Sequence, residues 1–128
     1  MKKLKIGLDF HGCIDRSPET FSVLSKILVD SGNEVHIITG SRINDDFKNR
    51  LVNEYKVSYT HLFSIADYHE SLGTQVKNDV NGNPYMESYL WDRTKADYCE
   101  RENIDLHIDD SDTYGKHFKK TLYMRLEK

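Results

Sequence analysis

The chain has 128 residues, enough for one domain with its own core and no disulfide or metal staple. Charged residues make up 30% and hydrophobic residues 38%, an ordinary globular balance. The net charge of −3 excludes the basic footprint that nonspecific nucleic-acid or anionic-membrane binding requires. Cys13 and Cys99 match neither a metal-ligand pattern nor a disulfide framework, which suits a reducing cytoplasm. The basic start Met1-Lys2-Lys3 leads into an apolar run too short for a signal peptide, and no later run could span a bilayer. No internal repeat, low-complexity segment or linker divides the chain.

The first strand reads from about Leu4 to Phe10 and meets Asp9 near its end. Ser17-Pro18-Glu19 then supplies an N-cap, a first-turn proline and an early acid, followed by Phe21, Leu24, Ile27 and Leu28 at helical spacing and Gly32 as C-cap glycine. Glu34 to Ile38 reads as a second buried strand, broken by Thr39-Gly40-Ser41. A helix from about Asn44 to Tyr55 turns Phe47, Leu51 and Val52 inward, and a third strand near Thr60 to Ile65 leads into a short helix from Ala66 to Leu72. Between Gln75 and Tyr85 the Asn81-Gly82 dipeptide marks a hairpin, a polar flap over about 74–86 outside the main sheet. The chain resumes as helix from Thr94 to Glu102 and strand over 105–109. A short helix near Asp112 to Phe118 and a strand from Thr121 to Leu126 complete it. This alternation predicts an α/β fold: a three-layer, Rossmann-like parallel sheet of about five strands over residues 1–128, with a small hairpin insertion.

Parallel sheets gather ligands at the carboxyl ends of their strands. If the strands ending at Asp9 and at Asp109-Asp110 are neighbours, three carboxylates converge there. Such a cluster is repulsive by itself and drives its own pKa values up. A divalent cation relieves that cost, and hard carboxylate oxygens suit Mg2+. Thr39 ends the second strand, and Lys95 opens the helix before the acid pair. A carboxylate nucleophile, a hydroxyl, an ammonium and a metal-binding acid pair make a coherent set for phosphoryl transfer.

The order Asp9-Phe10-His11-Gly12-Cys13-Ile14, then Ile37-Ile38-Thr39-Gly40, then Lys95, then Ile108-Asp109-Asp110-Ser111 resembles the haloacid dehalogenase (HAD) superfamily along essentially the whole chain. The resemblance implies that Asp9 is a nucleophile forming an aspartyl-phosphate. It implies that Thr39, with Gly40, and Lys95 bind the phosphoryl group. It further implies that Asp9, Asp109, Asp110 and the backbone carbonyl of His11 hold Mg2+. Family phosphatases usually carry a second aspartate, the general acid and base, where this chain has His11.

Three readings of His11 stand. It substitutes as acid and base, since imidazole exchanges protons near neutrality, although a nearby Mg2+ disfavours imidazolium. Alternatively the enzyme favours substrates with good leaving groups, or turnover is lost. The expected activity is a Mg2+-dependent phosphomonoester hydrolase, catalytic through Asp9, His11 and Lys95. The alternative is a weakened domain that binds metal or a phosphorylated partner without turnover. A receiver-type phospho-acceptor would carry its acid pair at the first strand and its acceptor at the third, the reverse of the order here.

Too little chain separates the first two motifs for a helical cap. The resemblance to cap-less members of that superfamily implies a large phosphorylated substrate or closure by a partner subunit, and no membrane partner is expected.

Other residues have plainer readings. Asp15 and Arg16 sit on the turn after the first strand, and Arg93 and Lys77 are alternative cations. Cys13 is expected to be a small half-buried residue, and His36 and His107 to be core or helix-contacting histidines rather than ligands. His61 and His69 show no partner pattern. Tyr85, Tyr89 and Trp91 read as packing, with substrate contact as the lesser alternative.

Overall fold

The computed structural model describes residues 2–127; Met1 of the basic start and Lys128 lie outside the described residues. In chain order the elements are β1 (Lys5–Leu8), α1 (Pro18–Asp30), β2 (Glu34–Thr39), α2 (Asp45–Asn53), β3 (His61–Ser64) and α3 (Ile65–Ser71). They continue as β4 (Lys77–Asn78), β5 (Pro84–Tyr85), α4 (Ser88–Arg101), β6 (Leu106–Asp109), α5 (Asp112–Gly115) and β7 (Leu122–Arg125). Five strands form a parallel sheet in the order β3-β2-β1-β6-β7, while β4 and β5 pair antiparallel in a separate hairpin. The fold is α/β and Rossmann-like, as the alternation of elements requires.

Side chains alternate across each strand, so the sheet buries both faces. Ile6, Leu8, Val35, Ile37 and Ile108 pack on one side with Phe21 of α1 and with Phe47 and Leu51 of α2. Ile38 and Phe63 pack on the other side with Tyr98 and Cys99 of α4. Each fully buried Leu or Ile contributes roughly 1.5–3 kcal/mol of transfer free energy. Among the described residues no helix is long and apolar enough to cross a membrane.

Several local expectations are corrected. Ile27 is 58% exposed while Ser25 is fully buried. At 100° per residue, Ile27 lies about 120° around α1 from Phe21, whereas Ser25 falls on the buried stripe. Val52 is exposed for the same reason, one residue beyond the Phe47–Leu51 line of α2. Helix α4 begins at Ser88 rather than Thr94, so Lys95 stands in mid-helix instead of opening it. The added turns are secured by Glu87, whose carboxylate accepts from the Tyr89 and Leu90 N–H groups at 3.0 and 2.9 Å.

At α5 the cap is Ser111, which accepts from Thr113 N–H, and the helix stops at Gly115 before reaching Phe118. Gly32 does occupy the expected position after α1, at φ +88° with its N–H on the Val29 carbonyl.

Candidate functional site

Strands β1 and β6 are hydrogen-bonded neighbours, with Leu8 opposite Ile108. The next residues, Asp9 and Asp109, therefore emerge together at the carboxyl edge, and Asp9 N–H donates to the Ile108 carbonyl at 3.0 Å. From β1 the chain builds β2 and β3 on one side, then β6 and β7 on the other. The crevice above β1 and β6 is thus the switch point where an open α/β sheet binds ligands.

Lys95 descends into this crevice from α4 and is 1% exposed. Its Nζ lies 2.8 Å from Asp9 Oδ1 and 2.8 Å from Asp109 Oδ2, over the Tyr114 ring. Burial alone would strip the ammonium of its proton, but the two carboxylates outweigh it and hold the Lys95 pKa above its ordinary value.

The carboxylates divide that single positive charge unequally. Burial works against ionisation at Asp109 as well, yet His107 and Lys95 overcome it and hold that carboxyl below its usual range. His107 Nε2 donates to Asp109 Oδ2 at 2.9 Å, while Asp109 Oδ1 accepts from the Asp110 and Ser111 N–H groups at 2.8 and 3.3 Å. Asp9 has fewer donors. Burial, reinforced by Asp109 and Asp110 and only partly offset by Lys95, pushes Asp9 up to about 7.

Asp110 completes the cluster. One carboxylate oxygen from each of Asp9, Asp109 and Asp110 lies within 4.8 Å of the others, a spacing that permits a shared ion. The turn after β1 makes room for it: Gly12 has φ +86°, and a Cβ there would stand 2.1 Å from Asp110 Oδ2. Only glycine meets both demands.

Thr39 and Gly40 arrive from β2. Thr39 is fully buried, and its Oγ1 accepts from Ser41 N–H at 3.1 Å. Gly40 faces Trp91; a Cβ would stand 2.8 Å from the indole. His11 lies across the mouth, with Nδ1 3.2 Å from Asp15 Oδ2 and Nε2 3.0 Å from Ser41 Oγ. Asp15 is itself fixed by Gly12 N–H at 2.8 Å. His11 and Gly40 border a cavity of about 570 Å³ whose walls also include Asp9, Trp91, Lys95 and Asp110.

The hairpin also reaches this cavity. Asn83 and Pro84 form part of its wall, so the segment is both a surface excursion and a rim. Arg42 holds it in place through Glu70 at 2.7 Å, through Asn78, and through the Val76 carbonyl. The Asn81-Gly82 turn sits in a five-residue connection in which Asp79 accepts from both Asn81 and Asn83 N–H.

Asp9, His11, Gly40, Lys95 and Asp110 line one crevice and buried Asp109 adjoins it through Lys95, whereas buried Thr39 is not part of its wall; several further residues line it too. His107 is a fully buried core histidine, as expected, and it also contacts Asp109 directly. Its spacing was a usable signal, because residues two apart on a strand share a face. The four-residue spacing of His11 and Asp15 similarly brackets one turn. Trp91 lines the cavity and donates Nε1–H to Tyr114 Oη at 3.0 Å, so it is not core packing alone.

The alternative cations do not meet the carboxylates. Arg93 pairs with Asp97 and Tyr89, and Lys77 lies exposed in the hairpin. Arg16 turns away to the Glu127 carbonyl. Cys13 is fully rather than half buried, and burial pushes its thiol far above the range of a nucleophile. His69 is bound to Thr94 at 2.7 Å. Comparisons with models of protein families, with curated proteins and with solved structures give no match.

Proposed function

We propose that the chain is a HAD-like, Mg2+-dependent phosphomonoester hydrolase in which Asp9 is the nucleophile. The observation that carries this reading is the fully buried Lys95 ammonium held between Asp9 and Asp109, with Asp110 alongside. Three carboxylates around one ammonium leave negative charge to be neutralised, and all three offer hard oxygens, so the donor set fits Mg2+. Asp9, Asp110 and Asp109, with the His11 carbonyl, would hold the ion. When bound, it supplies charge neutralisation for the phosphoryl oxygens and lowers the proton affinity of Asp9.

The remaining steps belong to the chain itself. An Asp9 oxygen attacks phosphorus as the bond to the leaving alcohol oxygen breaks, forming an aspartyl-phosphate. Lys95 orients the attacking carboxylate and offsets charge on the phosphoryl group, while the Thr39 hydroxyl and the backbone after it position a phosphoryl oxygen. His11, held between Asp15 and Ser41, delivers a proton to the leaving oxygen. It then takes one from the water that hydrolyses the aspartyl-phosphate.

Phosphate release from an activated aryl phosphate, with and without Mg2+, tests the reading. The expected result is Mg2+-dependent turnover by the wild type that Asp9→Asn abolishes. Undiminished turnover in that variant overturns the covalent mechanism.

A second reading, a domain that binds without turnover, draws on one observation: both His11 ring nitrogens are already engaged, by Asp15 and Ser41. Here His11→Asp decides. Activity that appears only with the aspartate supports the non-hydrolytic domain, whereas loss of an existing activity assigns the proton transfers to His11.

A further inference from the structure

The opposite edge of the sheet carries a second cluster with ligand chemistry of its own. Parallel pairing of β2 with β3 sets His36 directly against His61, and Glu34 lies two residues before His36 on the same face. At about 3.3 Å rise per residue, Glu34 stands roughly 17 Å along β2 from Thr39, remote from the carboxylate crevice. One ligand atom from each of Glu34, His36 and His61 lies within 4.8 Å of the others.

The three residues are not equally free. His36 is 1% exposed, with Nδ1 held by Tyr98 Oη at 2.6 Å and Nε2 facing Glu34 Oε1 at 2.8 Å. His61 is the exposed member, with a side chain 47% exposed and Nδ1 3.8 Å from the same Glu34 oxygen. Thr60 Oγ1 lies 2.8 Å from that nitrogen, and Lys3 Nζ stands 3.6 Å from Glu34 Oε2.

We propose that Glu34, His36 and His61 form a binding site for a divalent transition ion of the Zn2+ class at the amino-terminal edge of the sheet. Two imidazoles and one carboxylate match the borderline preference of Zn2+ and leave a fourth position for water. The anchored side of His36 supplies what a ligating histidine ordinarily needs: a fixed partner on one nitrogen, so that the other can face an ion. Burial keeps His36 in its neutral form, the form that ligates.

Binding requires two adjustments. In the free protein the Tyr98 hydroxyl donates to Nδ1 and Nε2–H donates to Glu34. When an ion takes Nε2, the ring proton moves to Nδ1 and the Tyr98 oxygen becomes its acceptor, so no proton is lost from the ring. The rings of His36 and His61 are stacked at 4.1 Å and 6°. Face-to-face rings cannot both aim an in-plane lone pair at one ion, so the half-exposed His61 must turn edge-on. The consequence is a cross-strand staple between β2 and β3 at the sheet edge, independent of the hydrolase reading.

The test titrates ZnCl2 into the full chain in excess Mg2+, comparing wild type with His61→Ala and Glu34→Gln by calorimetry and thermal melting. His61 is exposed enough for the alanine variant to fold, and a melt without zinc verifies this. The expected result is one Zn2+ equivalent in the wild type that weakens at least tenfold in His61→Ala, persists in Asp110→Asn, and raises the melting temperature. The His36 and His61 ring-proton resonances should move together as zinc is added. Three outcomes overturn the site: no zinc binding by the wild type, an unchanged isotherm in His61→Ala, or His36 resonances that stay fixed.

Discussion

At the carboxyl end of the sheet a buried ammonium stands between two carboxylates; at the amino end a buried imidazole stands between a phenol and a carboxylate. Lys95 and His36 are each 1% exposed, so burial alone does not distinguish the two ends. Compensation does. The carboxyl end retains ionised groups with surplus negative charge, whereas the amino end keeps its central ring neutral and closes it with hydrogen bonds. Low dielectric strengthens both arrangements, but only the ionic one depends on how its buried charges are compensated. A sheet edge with surplus negative charge attracts a cation, and an anionic group approaches only once that charge is neutralised. At the amino end the hydrogen bonds of His36 to Tyr98 and Glu34 already occupy both ring nitrogens.

The largest expected effect comes from breaking the charge balance. Lys95→Met leaves Asp9 and Asp109 buried without their shared partner, and removal of one member of a buried ion pair costs about 3–5 kcal/mol. In a chain of this size that corresponds to a melting temperature lower by about 10 °C or more. Raised Mg2+ should recover part of the loss, because a cation takes over the neutralisation. Thermal melts at two Mg2+ concentrations check both statements.

The next effect concerns pH, and the two ends act with opposite signs. Asp9 rises from 3.8 to about 7 on folding, so the folded chain prefers its proton and this part of the stability is lost as pH rises from about 4 through 7. His36 is depressed from 6.5 by burial, so the unfolded chain takes up the proton first and stability is lost as pH falls below 6.5. Asp9→Asn removes only the first trend. Relative to wild type without divalent cation, that variant should gain stability between pH 5 and pH 8, by on the order of 1 kcal/mol per pH unit at most. Denaturant midpoints across the range measure it, and a flat difference would locate the buried proton elsewhere.

A smaller effect tests the space left for Asp110. Gly12→Ala places a methyl group in a left-handed backbone, at a cost of about 1–2 kcal/mol, and adds to that a clash with the Asp110 carboxylate. Mg2+ dependence should weaken along with stability. Gly32 also has a positive φ, but a Cβ there meets nothing within 4 Å. Gly32→Ala therefore reports the backbone term alone, and comparison of the two alanine variants isolates the contribution of the acid.

Much of this arrangement was legible in the sequence, because a buried parallel strand must be apolar and its polar terminus is conspicuous. Asp9, Thr39 and Asp109 each follow such a run, and the pairing of β1 with β6 brings the acids together as expected. What escaped depends on contacts between distant segments or on weak local signals. The first turns of α4 are aromatic and are capped by Glu87 rather than by the adjacent Ser88, so neither periodicity nor a usual cap residue marks them. Consequently Lys95 was placed at a helix start when it projects from the middle. Ile27 and Val52 are apolar yet exposed, since composition records hydrophobicity and not the angle around a helix. The His36–His61 stack arises from strand pairing across 25 residues, which no short spacing encodes.

The mildest substitution separates the two ends most cleanly. Tyr98→Phe keeps the ring that stacks on Phe63 at 4.1 Å and deletes only the hydroxyl bound to His36 Nδ1. The lost hydrogen bond costs about 0.5–1.5 kcal/mol, toward the upper end because Nδ1 remains buried without a donor. Phosphate release should be unchanged, since Tyr98 acts on His36 at the amino end while Asp9 and Lys95 lie beyond the opposite end of the strands. If turnover fell in proportion to stability, the two ends would be coupled through the sheet, and the separation between the ionic edge and the hydrogen-bonded one would fail.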